Sequence, residues 1–357
     1  MTSIFKNLNI SFFIVVTFFL SGCLKDEDTP VFETALAENA TLLFYLEDHG
    51  DYINSASMPS IVDVDELYNN LNNYLVIDTR TNTEFIVGHI EGAINIQNDS
   101  LISYINSIDI NQYSKVVLVS SDGQASSYYT SLLKLYGFSN IYSLLFGMTE
   151  WNGTFSDAWA NNVGDSPAIE DFRFGNYIPD SSYNLPNVSI SGLGKNLEEQ
   201  VKNRIENILK IGFVSDETYV AVDPVRPISF NGENAANFFI VCFGDRVFYI
   251  QNGFDDVSVG HFPDAVSFVP EVTLKSTESL QILPDKRKIA VYSYSGQISA
   301  FVVAYLRVLG YDAKSILYGA NGIFYTYMVN KYDFYSPFVY IPSDVRNYPY
   351  VAGSSPE

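Results

Sequence analysis

Basic residues are scarce in this chain. Its 357 residues hold 20 Lys and Arg against 41 Asp and Glu, a formal charge of −21. Such a surface repels phosphate backbones and anionic lipid, which excludes nucleic acid as a partner and a basic patch as a membrane contact. Histidine is scarcer, at three, and cysteine scarcer still, at two. Two distant thiols exclude a disulfide framework. His49, His89 and His261 are scattered and form no ligand spacing with them, so neither a metal nor another cofactor is expected. No apolar run reaches the roughly 20 residues that a membrane-spanning helix needs. What is present is globular composition, 47% hydrophobic and 17% charged, with length for two or three domains. Tyr and Phe, 26 each, suit sheet-rich packing.

The longest apolar run, Ile10 to Leu20, follows Lys6 and reads as the core of a signal peptide over residues 1–22. Leu20, Ser21, Gly22 and Cys23 resemble the bacterial lipobox, with an ordinary secretory peptide as the alternative. The resemblance implies lipidation of Cys23, hence a membrane partner through that anchor. Each buried CH₂ of an acyl chain contributes about 0.8 kcal/mol, so several chains hold firmly. The expected location is the envelope of a Gram-negative bacterium, anchored to the outer membrane, periplasmic or surface-exposed. Residues 23–41 are acidic without apolar periodicity and read as a tether. Their "KDED" run resembles the acidic export signals of surface lipoproteins in the Bacteroidetes group; a solvated linker is the alternative.

An internal repeat governs the rest of the chain. "GHIEGAINI" at Gly88 recurs as "GHFPDAVSF" at Gly260. "VVLVSSDGQAS" recurs as "IAVYSYSGQIS", placing Ser120 over Ser293 and Gly123 over Gly296. The segments that follow keep the spacing, with Gly137 over Gly310 and Gly147 over Gly319. Four blocks in one order make this a tandem duplication. Each copy alternates short apolar strands (74–78, 115–120, 140–145) with amphipathic segments such as 126–136. That alternation predicts an α/β fold: in each copy a mostly parallel sheet with helices on both faces. The boundaries are 42–163 for the first domain, 164–196 for a Gly/Pro/Ser/Asn-rich linker, 197–345 for the second domain and 346–357 for a tail. "FFIVCFGDRVFYI" reads as a strand pair turning at "GDR", with Cys242 a structural thiol inside it.

"VIDTRTNTEFIVGHIEGAINI", with Asp78, Arg80, Glu84, Gly88, His89, Gly92 and Ala93, resembles the first half of a rhodanese domain. The stretch from Lys115 to Gly147 and Trp151 resembles its second half. In the second copy Gly260, His261, Pro263 and Ala265 fit, while Ile250 and Asn252 stand where the motif's Asp and Arg are expected. The resemblance implies a persulfide-carrying cysteine at the strand end, in a loop C-x-x-G-x-R. Here the cysteine position is Ser120 and Ser293, and the arginine position is Ala125 and Ile298. A serine oxygen carries no persulfide, and neither loop supplies an activating base. The loop amides at a helix N-terminus remain, so both loops are candidate anion sites. Their residues are Ser120, Ser121, Asp122, Gly123, Gln124 and Ser126, and Ser293, Ser295, Gly296, Gln297 and Ser299. Hydrated amides are the alternative.

The expected function is a non-catalytic tandem rhodanese-like lipoprotein, a pseudoenzyme that binds a small anion or a protein outside the cytoplasm. Two alternatives stand beside it: a sulfurtransferase working through Cys242 at a non-standard site, and a surface component of a nutrient-uptake or adhesion system. A Ser–His–Asp hydrolase is excluded, because His89 and His261 belong to the repeated Gly-His element and His49 reads as a helix-end cap.

Overall fold

The computed structural model describes residues 31–179, 182–226, 228–250 and 258–354. The signal peptide, Cys23 and Asn252 lie outside the described residues.

Short runs rich in Val, Ile and Phe, too brief for stable helices, supply the strands. The first sheet contains β1 (Ile61–Val62), β2 (Tyr74–Asp78), β3 (Ile94–Asn95), β4 (Lys115–Val119) and β5 (Ile141–Leu144), in the order β1-β5-β4-β2-β3. In the second half come β6 (Tyr219–Val220), an antiparallel hairpin of β7 (Ser229–Phe230) and β8 (Glu233–Asn234), β9 (Phe238–Phe243), β10 (Val266–Phe268), β11 (Lys288–Tyr292) and β12 (Ala313–Ile316). The second sheet is ordered β10-β9-β11-β12-β6. With the hairpin set aside, both sheets share one order (first, fifth, fourth, second, third), and every pairing within them is parallel. Parallel strands covered on both faces must be apolar on both. Val116 to Val119 in β4 and Ile289 to Val291 in β11 are accordingly all fully buried. This is the α/β class predicted from the alternation of strands and helices.

The helices that follow the two central strands, Gln124–Tyr136 and Gln297–Val308, pack on each other. They fuse the cores of the two halves into one apolar cluster that includes Leu132, Leu133, Phe301 and Ala304. Ser131 Oγ donates to the Phe301 carbonyl across the seam at 2.8 Å.

Several loop expectations change. The helix Val31–Asp48 begins inside the stretch read as a tether, so only its earlier part is left for that role. "FFIVCFGDRVFYI" is one strand, β9, followed by a short 3-10 turn at Arg246–Phe248 that Asp245 caps. The linker and the tail are working parts of the fold. The Gly164 and Ser166 amides donate to the Asn321 and Ile323 carbonyls, and Arg173 pairs with His261. Reciprocally, the Arg346 and Tyr348 amides donate to the Glu150 and Trp151 carbonyls, and Val351 pairs with His89. Each half is thus closed by the segment that follows the other half. Backbone polar groups at a sheet's rim must find partners, and here the partners come crosswise.

Candidate functional site

In open α/β sheets, ligands sit beyond the C-terminal strand ends. Ser120 lies there, one residue past β4, and Ser293 one residue past β11. After each serine the chain turns through a glycine with left-handed backbone, Gly123 (φ 83°) or Gly296 (φ 73°), and enters its helix. A second glycine supports each turn from below. A Cβ on Gly147 would strike the Ser120 carbonyl, and one on Gly319 the Ser293 carbonyl. The turns are therefore built alike.

The amides of the first loop converge on an oxygen of the chain itself. Ser120 Oγ accepts from the Gly123 amide at 3.0 Å and the Ser126 amide at 3.3 Å. In the second loop, Ser293 Oγ accepts from the Ser299 amide at 2.9 Å. Hydroxyl pairs lie beneath, Ser126–Ser143 at 2.8 Å and Ser299–Ser315 at 2.9 Å. All six serines are buried. Neither Ala125 nor Ile298 brings charge to these amides.

The two loop glutamines are occupied by the opposite half. The Gln297 side chain accepts from the Phe146 amide at 2.9 Å and donates to the Gly123 carbonyl at 3.0 Å. The Gln124 oxygen accepts from the Tyr318 amide at 2.8 Å. The Asp122 carboxylate takes the Gln124 amide at 2.9 Å and its side-chain amide at 2.7 Å, and burial holds the Asp122 carboxyl above the usual carboxylate range. Ser121 Oγ donates to Glu84 at 3.1 Å, and Ser295 is fully buried. The two loops thus stand back to back. A glutamine repeated at offset 173 is visible in sequence; its bridging role is not, because the partner amide is in the other half.

The histidines bond main-chain carbonyls. His89 Nδ1 lies 2.8 Å from the Phe85 carbonyl, with its ring stacked on Phe85 at 3.6 Å. His261 Nε2 lies 2.6 Å from the Gly175 carbonyl, with its ring stacked on Tyr249 at 3.8 Å. His49 Nδ1 lies 2.8 Å from the Tyr45 carbonyl at a helix end. Among the described residues, no three His, Cys, Asp or Glu side chains gather as metal ligands.

Register moves two motif positions. β2 pairs with β4 so that Asp78 faces Val119, and β9 pairs with β11 so that Cys242 faces Tyr292. Val119 and Tyr292 are equivalent, so Cys242 holds the place of Asp78 and Gly244 that of Arg80. Ile250 and Asn252, reached by counting back from Gly260, are not the equivalents. The offset is 164 at Cys242 and 172 at His261, so eight residues are inserted between them. In the first half Asp78 and Arg80 form a buried ion pair at 2.6 Å, and Arg80 also donates to the Gly88 carbonyl at 2.7 Å.

Cys242 is the one cysteine among the described residues, and it lies near the end of β9. Its side chain packs with Phe238, Ile240 and Tyr292, on the sheet face away from the Gln297–Val308 helix. Burial pushes its thiol up to about 12. At neutral pH almost none of it is thiolate, the form that attacks. We expect Cys242, in a Cys23→Ser chain, to react with Ellman's reagent at pH 7.5 at least about 100-fold more slowly than free cysteine, and rapidly once guanidinium unfolds the chain. A native-state rate near that of free cysteine contradicts this.

The mouths of the two loops differ in chemistry. In the first half a cavity of about 260 Å³ is lined by Arg80, Glu84, Val87, Ser121, Met148 and Phe155. In the second, the positions of Arg80, Glu84 and Ser121 are taken by Gly244, Phe248 and Tyr294, which line a cavity of about 270 Å³.

The family model of the rhodanese-like domain matches residues 63–154. A thiosulfate sulfurtransferase, GlpE, of Shewanella oneidensis is 32% identical over 77 residues, 22% of this chain and 74% of that protein. GlpE of Pseudomonas entomophila is 31% identical over 81 residues, 23% of this chain and 72% of its own length. Among solved structures, a rhodanese-related protein from Thermoplasma volcanium is 27% identical; the match covers 25% of this chain and 87% of that one, with a TM-score of 0.23.

Proposed function

Because this chain belongs to the rhodanese family, we propose that it is a tandem of two rhodanese-like domains that no longer transfers sulfur and serves as a binding module. One observation carries this reading. In each loop a buried serine oxygen already takes the amides that face the strand end, Ser120 Oγ those of Gly123 and Ser126 and Ser293 Oγ that of Ser299. Sulfur transfer needs a thiolate at that position and a cation to stabilise it. Ala125 and Ile298 offer no cation. The reading of Cys242 as a substitute nucleophile is disfavoured by its raised pKa and its orientation away from the loop helix. The two mouths, one bearing Arg80, Glu84 and Ser121 beside apolar side chains and the other walled by aromatic rings, are the surfaces left for recognition.

The proposed location is outside the cytoplasm, on a lipid anchor at Cys23 in the outer membrane. The Ile10 to Leu20 run and the Leu-Ser-Gly-Cys sequence support it. Acyl chains on the N-terminal peptide, found by mass spectrometry and lost in Cys23→Ala, test the anchor.

The catalytic question is decided by a cyanide–thiosulfate assay. Wild type and Cys242→Ala are both expected at the level of buffer. Turnover that survives Cys242→Ala overturns the non-catalytic reading, and turnover lost with it returns the activity to that thiol.

A further inference from the structure

We propose that the mouth of the second loop is a binding site for a single-ring or fused-ring aromatic molecule that carries an N–H or O–H donor and no negative charge. The inference rests on the reading of the chain as a binding module and names the ligand class of one of its two mouths.

The site follows from three exchanges relative to the first half. Gly244 replaces Arg80, which removes a cation and opens space against the strand end. Tyr294 replaces Ser121 and leans into that space; a Cβ on Gly244 would come within 2.6 Å of its hydroxyl. Phe248 replaces Glu84. The cap positions next to them correspond as well, Thr81 bonding the Glu84 amide and Asp245 the Val247 amide. The charge lost from the mouth is not balanced by closure. A cavity of about 270 Å³ remains, walled by Met58, Phe248, Tyr294, Ile298, Phe334 and Phe338.

The walls come from both halves, Met58 and Pro59 from the first and the rest from the second, and ligand pockets favour such seams. Phe248 meets Tyr294 edge-on at 4.9 Å and Tyr335 at 4.7 Å, so the rings are held in fixed orientation. An engineered apolar cavity of about 150 Å³ admits benzene. One of about 270 Å³ therefore suits a phenol or an indole and is small for anything drug-sized.

Charge narrows the class. Asp245 is the one charged residue on the lining. Its carboxylate caps the Val247 amide through one oxygen, and a carboxylate accepts further bonds. It favours a ligand with a donor edge and opposes one carrying a carboxylate. The net charge of −21 acts in the same sense at longer range. The Tyr294 hydroxyl is already taken up by the Asp245 amide at 2.7 Å.

The test titrates the full chain with indole and p-cresol by saturation-transfer NMR, with benzoate as the charged comparator. Saturable binding of at least one neutral probe in the micromolar to low millimolar range is expected, with benzoate at least about tenfold weaker. Phe248→Glu restores the residue type of the first half and should weaken the neutral probe at least about tenfold. Phe334→Ala, on the half-exposed rim, keeps the test decisive if the first variant folds poorly, and should weaken binding several-fold. Val87→Ala at the other mouth should change nothing. No saturable binding of either neutral probe, or binding indifferent to both pocket variants, overturns the proposal. Running the cyanide–thiosulfate assay on the same sample separates the two failures. Turnover there defeats the non-catalytic reading, whereas absent turnover with absent binding defeats only the ligand assignment.

Discussion

A chain ending at Asp344 is expected to melt at least about 10 °C below the full chain, with its tryptophan emission shifted to the red. The removed arm crosses to the first half. Its loss breaks the antiparallel pair between His89 and Val351, both bonds at 2.9 Å. It also strips the Pro349 carbonyl from Trp151 Nε1, at 2.9 Å, and the Tyr348 carbonyl from Asn152, at 2.9 Å. Tyr348 stacks on Tyr68 at 3.8 Å and tilts against Trp151 at 5.2 Å. Net hydrogen bonds contribute about 1 kcal/mol each, and an aromatic pair about as much. The exposed Arg346–Asp65 pair, with side chains 39% and 45% accessible, adds little. Four hydrogen bonds and two ring contacts on that scale come to about 6 kcal/mol, and each kcal/mol moves the midpoint of a domain this size by roughly 2–4 °C. Trp151 is 1% exposed in the full chain and loses its cover, while Trp159 stays in the seam between the halves. The emission change should therefore come from one of the two tryptophans, and Trp151→Phe should abolish it. An unchanged midpoint and spectrum would mean that the arm merely rests on the first half.

Arg80→Met should cost about 3–5 kcal/mol in equilibrium unfolding by guanidinium. Asp78 is 1% exposed, and Arg80 holds it through Nη2 at 2.6 Å and Nε at 3.1 Å. Removing one member of a buried pair leaves the other charged, desolvated and alone. The Gly88 carbonyl loses its donor as well. Replacing both members by apolar side chains avoids that penalty, so Asp78→Leu with Arg80→Met should recover most of the loss. The second half already carries a neutral pair, Cys242 and Gly244, in these places. A single substitution costing less than about 1 kcal/mol, or a double one costing as much as the single, would show that the pair is not the support described.

Much of the architecture was legible because its causes are local. Apolar runs of four to six residues bounded by Gly, Asn and Asp mark strands. Gly123 and Gly296 mark the turns because a left-handed backbone favours glycine. The α/β class and the strand-end position of Ser120 and Ser293 follow from such signals. The misplacement of Ile250 and Asn252 shows where this stops. Spacing in sequence fixes a motif position only if nothing is inserted, and the eight extra residues between Cys242 and His261 are invisible to counting. Strand register exposes them, because Cys242 must face Tyr292 for the ladder to form.

Composition and pattern alone determined the apolar strands, the helices behind them and the negative surface. Each is a property of one residue or of a short window. Tertiary structure alone decided what those residues meet. It sent the Gly164–Arg173 segment to the second half and the Arg346–Val351 segment to the first. It set Gln124 and Gln297 against amides of the opposite copy. It also gathered Met58, Phe248, Tyr294 and Phe338, far apart in the chain, around one cavity. Nothing in a window of sequence encodes such meetings. They follow from the docking of two sheets through a shared pair of helices, where unpaired backbone groups and buried rings select partners by geometry rather than by order along the chain.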